Sequence, residues 1–148
     1  MKIALILTLA LALVALASNC VAFTPTSEDM AWRTAAINDS AVIKSDVSLA
    51  GNAVSARDIA STQKHCDLLA EDAGKALRKS QGYTVSPEFQ NAKNYYEQGL
   101  SSFQIGAHKI SQAVSLNNPT VMKDGMTDIN KGSDYVERAT RELSAIAG

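Results

Sequence analysis

The feature that most constrains this chain is a helical spacing of apolar residues that continues from Trp32 almost to the C-terminus. Apolar or small side chains recur every three or four residues, which places them on one face of an α-helix. No segment alternates apolar and polar residues over the length of a strand. We therefore expect an all-α protein.

Short polar segments divide this pattern into helices. Ser86 and Pro87 suit the start of one helix, because Ser86 can accept free amide hydrogen bonds as N-cap and proline needs no donor at the first helical position. Asn118 and Pro119 repeat the same arrangement. The predicted helices span about 27–50, 53–80, 87–116 and 119–146.

The boundary between the first two predicted helices rests on weaker signals. Gly51-Asn52 interrupts the apolar spacing, and Ser55 with Asp58 three residues later can form a capping box that restarts the helix. We expect a turn at Gly51-Asn52, with a kink in one longer helix as the alternative.

Four amphipathic helices with short connections bury their apolar faces most simply in an antiparallel up-down four-helix bundle. The domain would occupy residues 23–148, after an N-terminal signal peptide at 1–22. The last helix has steps alternating between three and four residues, a heptad spacing typical of coiled-coil-like packing. Its stripe is Met122, Gly125, Ile129, Gly132, Val136, Ala139, Leu143 and Ile146.

Glycines on the last two helices indicate an unusually close approach between them. Each glycine inside a helix costs about 1 kcal/mol relative to alanine, so several on facing stripes need a packing reason. A hairpin centred on Asn118 would pair Gly106 with Gly132, Ser111 with Gly125, and Gly99 with Ala139.

The N-terminus has the composition of a cleavable export signal. Lys2 supplies a positive start, and residues 3–16 are apolar except for Thr8. This stretch is short for an anchor, since a membrane-spanning helix needs about 20 apolar residues. Small residues permit cleavage after Ala17 or Ala22, and the polar Ser18-Asn19 before the second site favours Ala22. We therefore expect an exported protein that is located outside the cell, at its surface or in a periplasm-like space. The mature chain would have no membrane span. The alternative is that the N-terminal segment stays uncleaved as an anchor.

The cleavage site decides the chemistry of the two cysteines. Cleavage after Ala17 keeps Cys20, which can then form a disulfide with Cys66 in an oxidising compartment. Cleavage after Ala22 leaves Cys66 alone on the apolar stripe, where it packs as a small hydrophobic residue. Lipid attachment at Cys20 is a third possibility, although Asn19 is not the small residue that normally precedes a lipidated cysteine.

Composition excludes some classes of function. The net charge of −1 argues against nucleic-acid binding, because a protein that binds nucleic acid needs a strongly basic surface. The sequence contains no catalytic, cofactor or metal motif, and the acidic residues fall on polar faces of the predicted helices.

The leading hypothesis is a non-enzymatic exported bundle, without cofactor, that binds or scaffolds at the cell surface. Its partner would be an unidentified protein or another copy of the chain.

The alternative hypothesis is an exported haem- or metal-binding bundle of cytochrome b562-like type. Met30 occupies a tolerable position for a haem ligand, but the final helix contains no histidine. The remaining histidines, His65 and His108, would differ in height by about 9 Å at 1.5 Å per residue. His65 beside Cys66 does not form a zinc site, because structural zinc needs four ligands.

Tyr95 is the one residue that we predict as a partner contact. Tyr95 and Tyr96 are adjacent, so on a helix one ring faces the core and the other faces outward. Tyr96 continues the apolar stripe, which leaves Tyr95 exposed and able to anchor a protein partner. Single exposed aromatic residues are also common without any function.

The C-terminal half resembles a group of exported proteins. The helix start at 86–90, the Tyr95-Tyr96 pair and the stripe from Gly132 to Leu143 are similar to small exported helical proteins of methanogenic archaea. The resemblance covers about the last 65 residues. It implies export and an all-helical fold, and it implies no activity.

The intact mass of the exported protein tests the predicted cleavage. We expect the mass of a chain that begins at Phe23, unchanged by reduction because Cys20 has left with the signal. A heavier chain that retains Cys20, with or without a lipid, would contradict cleavage after Ala22.

Overall fold

The structure, a computed structural model, describes residues 23–147, and within them it contains four α-helices and no strand. These helices are α1 (Ser27–Ser55), α2 (Ile59–Gln81), α3 (Pro87–Leu116) and α4 (Pro119–Ala147). They form an antiparallel up-down bundle in which α1 packs on α2, α2 on α3 and α3 on α4. The all-α, four-helix prediction is confirmed. The predicted signal peptide, residues 1–22, lies outside the described residues.

None of the helices within 23–147 has an apolar stretch of the length needed to cross a lipid bilayer.

The predicted turn at Gly51-Asn52 is wrong, because α1 continues through both residues to Ser55. Gly51 and Asn52 are exposed, so neither disturbs the buried face. Ala50 and Ala53 on either side are both buried. Continuing the helix therefore keeps Ala53 in the core, which a turn at Gly51 would not do.

The turn between α1 and α2 lies five residues later than predicted, at 56–58. Arg57 adopts the left-handed conformation there, with φ of 56°. Asp58 is itself the N-cap of α2, and its carboxylate accepts hydrogen bonds from the Ser61 amide at 3.0 Å and hydroxyl at 2.7 Å. The predicted capping box between Ser55 and Asp58 is therefore replaced by an Asp58–Ser61 cap.

The starts of α3 and α4 lie where the sequence placed them. Asn118 accepts hydrogen bonds from the amides of Thr120 and Val121, so it caps α4 as predicted. Ser86 is the N-cap of α3 by backbone conformation, but its hydroxyl makes no capping hydrogen bond. The Ser86 amide instead donates to a carboxylate at the start of α1.

The carboxylate that accepts the Ser86 hydrogen bond belongs to Asp29 of α1, which is fully buried. It connects α1 to the loop before α3. Asp29 accepts hydrogen bonds from the amides of Ser86 and Thr26, both at 2.8 Å. Thr26 completes a capping box by accepting from the Asp29 amide. Burial alone would raise the pKa of Asp29, but the hydrogen bonds from Ser86 and Thr26 outweigh it and hold that pKa below its usual value.

A second polar connection joins α1, α2 and α3 inside the bundle. The Trp32 indole donates to the Ser80 hydroxyl at 2.9 Å, and that hydroxyl donates to Glu97 at 2.9 Å. Lys93 completes the chain with an ion pair to Glu97 at 2.9 Å. Because buried polar groups are costly unless paired, these bonds fix the position of α1 against its two neighbours.

The core lies between these helices and is built mainly from aromatic and aliphatic side chains. Trp32 meets the edges of Phe89 and Tyr96, with ring centroids 6.2 Å apart in each pair. Further along the bundle the core continues through Ile43, Cys66, Leu69, Leu100, Phe103 and Ile110.

Glycines bring α3 and α4 into backbone contact, as the sequence predicted. A Cβ atom on Gly106 would lie 2.7 Å from the Gly125 carbonyl oxygen, and one on Gly132 would lie 3.0 Å from the Gly99 carbonyl oxygen. Real Cβ atoms rarely approach other atoms so closely, so these four positions require glycine. We call this contact the glycine seam.

The register of the glycine seam differs from the predicted one. Gly106 faces Gly125 rather than Gly132, and Gly132 faces Gly99. The pairing of facing residues is centred near Ser115, although α3 continues to Leu116 and the turn itself lies at Asn117-Asn118. Both glycine pairs are then separated by seven residues along each helix, which keeps them on one continuous face.

The same substitution at two glycines tests the seam. Gly106→Ala should lower the free energy of unfolding by about 1–2 kcal/mol, because the overpacking cost exceeds the gain in helix propensity. Gly51→Ala should raise it by about 0.5–1 kcal/mol, because a Cβ atom at Gly51 meets nothing within 4 Å. Thermal unfolding followed by circular dichroism measures both, and a stabilised Gly106→Ala would contradict the seam.

Candidate functional site

The candidate site is a groove between α1 and α4, which do not pack closely on one another. Its central part is a cavity of about 310 Å³. Ile43 and Val47 of α1 form one wall and Val136 of α4 forms the other. The floor comes from α3, through Leu100 and Phe103.

Two further cavities extend the groove in both directions. One of about 230 Å³ lies towards Trp32 and Leu143, and one of about 270 Å³ lies towards Val54 and Met126. The central cavity shares Ser40, Tyr96, Val136 and Thr140 with the first and Val47 with the second. From Ala36 to Val54 the groove therefore follows α1 for about 27 Å, at 1.5 Å per residue.

The lining of the groove is apolar at the floor and weakly polar at the rim. Ser40 of α1 and Ser133 and Thr140 of α4 bring hydroxyl groups to the walls. The charged residues that line the central cavity are Lys44 and Glu137. Glu137 is neutralised by an ion pair with Arg141 at 2.6 Å. The arrangement can hold an apolar ligand by burial, with a few hydroxyl groups to orient it.

Tyr96 is the most unusual residue of the groove. It lines the central cavity and the one beside Trp32, and it is only 3% exposed. Its hydroxyl is buried and has no hydrogen-bond partner among the described residues. Burial, followed by the negative charge of nearby Asp39, raises the pKa of the Tyr96 phenol above its usual value. The hydroxyl of Ser40 on α1 lies near enough to the phenol to oppose this rise in its pKa, so the phenol is neutral and is not isolated from other polar groups.

Cys66 lines the cavity near Val54 but is fully buried, as the sequence predicted for a core thiol. It is a free cysteine in the structure, and its predicted alternative partner Cys20 lies outside the described residues. Burial, and to a smaller extent the Asp67 carboxylate, raises the pKa of the Cys66 thiol to about 11.

The two histidines lie apart. His65 is partly buried on the α2 side that faces Asp46 of α1, and its Nδ1 has no hydrogen-bond partner among residues 23–147. His108 is exposed in a depression between α2 and α3 that is also lined by Asp67 and Glu71.

Asp46, the α1 residue near His65, is partly buried. Burial, followed by the negative charge of Asp72, raises the pKa of Asp46.

The remaining elements of a haem or metal site are also separated. Met30 is 43% exposed on α1, outside the core. In the described part of the chain, no group of three or more histidine, cysteine or acidic residues is placed to hold a metal ion.

Tyr95, the predicted partner contact, lies on the surface formed by α3 and α4, where it is partly buried. Its ring stacks on Tyr135 with centroids 6.3 Å apart and an interplanar angle of 22°. Lys131 and Arg138 lie 5.8 Å and 5.9 Å from the Tyr135 ring. Tyr95 is thus held in an intramolecular cluster and is less available than a fully exposed ring.

The groove was not predicted from the sequence, although α4 carries a signal for it. Beside the stripe that packs on α3, Met126, Ser133 and Thr140 follow one another at intervals of seven. All three line the groove. A second heptad series of mixed polarity on one helix indicates a face that no other helix covers.

No family model matches the chain, and comparison with curated proteins and with solved structures found no match.

Chemical modification tests the environment of Cys66. Iodoacetamide attacks the thiolate, and with a pKa of about 11 only about one thiol in a thousand is ionised at pH 8. We expect the folded protein to stay unmodified at pH 8, while the same protein in guanidinium chloride is fully alkylated. Mass spectrometry reports both, and rapid labelling of the folded protein would contradict this burial.

Proposed function

We propose that this chain is an exported, non-enzymatic binding protein that acts at the cell surface and holds its target in the groove between α1 and α4. The observation that supports the proposal is the groove itself, an apolar channel that runs along most of α1. The N-terminal sequence, with Lys2 followed by an apolar run and small residues at 17 and 22, supports the location.

The walls of the groove favour binding because both are fixed before a target arrives. The bonds from Asp29 and Trp32 hold α1 on α2 and α3. The glycine seam holds α4 on α3. A preformed site loses little conformational entropy on binding, so the burial of apolar surface contributes more of its free energy to affinity.

Apolar contact supplies the driving force. Each square ångström of apolar surface removed from water contributes about 25 cal/mol. Because Leu100 and Phe103 are already buried, this gain comes from the part-exposed walls at Val47 and Val136 and from the apolar surface of the target itself. The rim hydroxyls of Ser40, Ser133 and Thr140 can form hydrogen bonds without requiring a charged target.

Two matched variants of α4 test the groove as the binding site. Thr140 and Thr127 are both exposed, and each hydroxyl donates to the carbonyl four residues earlier. Thr140 lines the groove, and Thr127 lies outside it. Thr140→Phe should fill the central cavity, while Thr127→Phe should leave it open.

The probe is N-phenyl-1-naphthylamine, an uncharged molecule whose fluorescence rises in apolar surroundings. We expect saturable binding to the wild-type protein and to Thr127→Phe, and at least tenfold weaker binding to Thr140→Phe. Equal binding by all three proteins, or no saturable binding by the wild type, would exclude the groove.

A further inference from the structure

We propose that Asp46 of α1 and Asp72 of α2 form a pH-sensitive connection between these two helices, in which their carboxyl groups share one proton. In acid the shared proton holds α1 on α2. When the proton is lost, two carboxylates face one another and repel. The connection sets how firmly α1, one wall of the groove, is attached, and it is independent of what the groove binds.

The register of α1 against α2 places the two carboxyl groups opposite one another. The two helices run antiparallel, and an ion pair of 3.1 Å between Asp39 and Lys79 connects them. Asp46 lies seven residues after Asp39, and Asp72 lies seven residues before Lys79. Seven residues make about two helical turns, so Asp46 and Asp72 occupy the next equivalent position along the interface. An ion pair at one position is thus followed by two acids at the next.

The Asp46 carboxyl is closed off from water on one side. Its Oδ2 atom is buried, and no N–H or hydroxyl group of residues 23–147 donates to it. The Asp72 carboxyl lies within hydrogen-bonding distance of Asp46. Two ionised carboxylates have no proton to donate, so a hydrogen bond between them requires a proton on one of the two. A proton shared with Asp72 therefore gives the buried Oδ2 atom the partner that it otherwise lacks.

The charged groups of α2 favour the proton on Asp46. Lys75 contacts the Asp72 carboxylate at 3.4 Å and the Glu71 carboxylate at 2.6 Å, which favours the ionised form of Asp72. His65 favours the ionised form of Asp46, but its effect is smaller than the opposing effects of burial and of Asp72. Asp46 is therefore the donor of the pair and Asp72 the acceptor.

The charged groups of the other helices lie elsewhere. Lys93 and Glu97 of α3 pair with one another beside Ser80, which lies about 12 Å beyond Asp72 along α2. On α4, Glu137 lines the groove between α1 and α4 and not the interface between α1 and α2. The balance at Asp46 is therefore set mainly by α2.

The connection should strengthen as the pH falls. Burial, followed by the negative charge of Asp72, raises the pKa of Asp46 in the folded protein, so folding takes up a proton. The resulting stabilisation is complete below the pKa of the unfolded chain and is lost as the pH rises through the pKa of the folded protein. Asp29 has the opposite effect, because its pKa is lowered and its stabilisation is lost in acid. A comparison of variants at each pH separates the two.

Asp46→Asn tests the connection by thermal unfolding, because its side chain is neutral at every pH and its amide can donate to Asp72. We expect its melting temperature to exceed that of the wild type by about 2–5 °C at pH 8, where one like-charge repulsion is removed. The gain should disappear at pH 4, where the wild type holds the shared proton. Asp134→Asn makes the same change on the exposed surface of α4, four residues before Arg138, and should give no gain at pH 8.

Carboxyl carbon-13 resonances report the proton directly. In the wild type we expect Asp46 to titrate above the usual range of an aspartate, in a step coupled to Asp72. In Asp72→Asn the titration of Asp46 should move to lower pH, because the neighbouring negative charge is removed. This shift separates a shared proton from a merely structural contact, which would affect stability alone.

Three results would overturn the shared proton. One is a melting temperature of Asp46→Asn at pH 8 that is equal to or below that of the wild type. Another is a gain of equal size at pH 4 and pH 8, which would reflect packing and not the loss of a charge. The third is a titration of Asp46 that Asp72→Asn leaves unchanged. Neither experiment uses a ligand, so the proposed binding function stands or fails separately.

Discussion

The close contact between α3 and α4 is the constraint on which the rest of this structure depends. Two glycine pairs, Gly99 with Gly132 and Gly106 with Gly125, let the two backbones approach closely. A Cβ atom on any of these glycines would collide with the carbonyl oxygen of the glycine that faces it. α4 packs extensively on α3 and makes little contact with α1, so the flank of α4 that faces α1 is left open as one wall of the groove.

The opposite side of the bundle is fixed by polar bonds instead of glycine. Asp29 joins the start of α1 to the loop before α3, and the Trp32–Ser80–Glu97 chain joins α1 to α2 and α3. α1 is thus held towards α2 while α4 is held towards α3. The groove follows from these two attachments, because the first and last helices are each bound to a different partner and not to one another.

The sequence predicted the four helices, the glycine contact and the core position of Cys66, because helical spacing and glycine cost are local properties. It misplaced the turn after α1 because the benefit of burying Ala53 depends on the other helices. The predicted register of the glycine seam was wrong because Gly125 and Gly132 lie seven residues apart on the same face of α4, and either can be placed opposite Gly106. The apolar stripe of each helix does not reveal the groove, since a gap between α1 and α4 depends on how the four helices pack; the second series on α4, at Met126, Ser133 and Thr140, is the local signal for it. Tyr96 was correctly placed in the core, but its unpaired hydroxyl becomes visible only when its neighbours are known.

Nuclear Overhauser effects between bound N-phenyl-1-naphthylamine and the methyl groups of the protein test the central claim most directly. We expect contacts from the probe to Val47 on α1 and to Val136 on α4 in the same complex, because these side chains form the two walls of the groove. Contacts confined to exposed residues outside the groove, such as Ile59 and Leu116, or contacts to only one of the two walls, would contradict it.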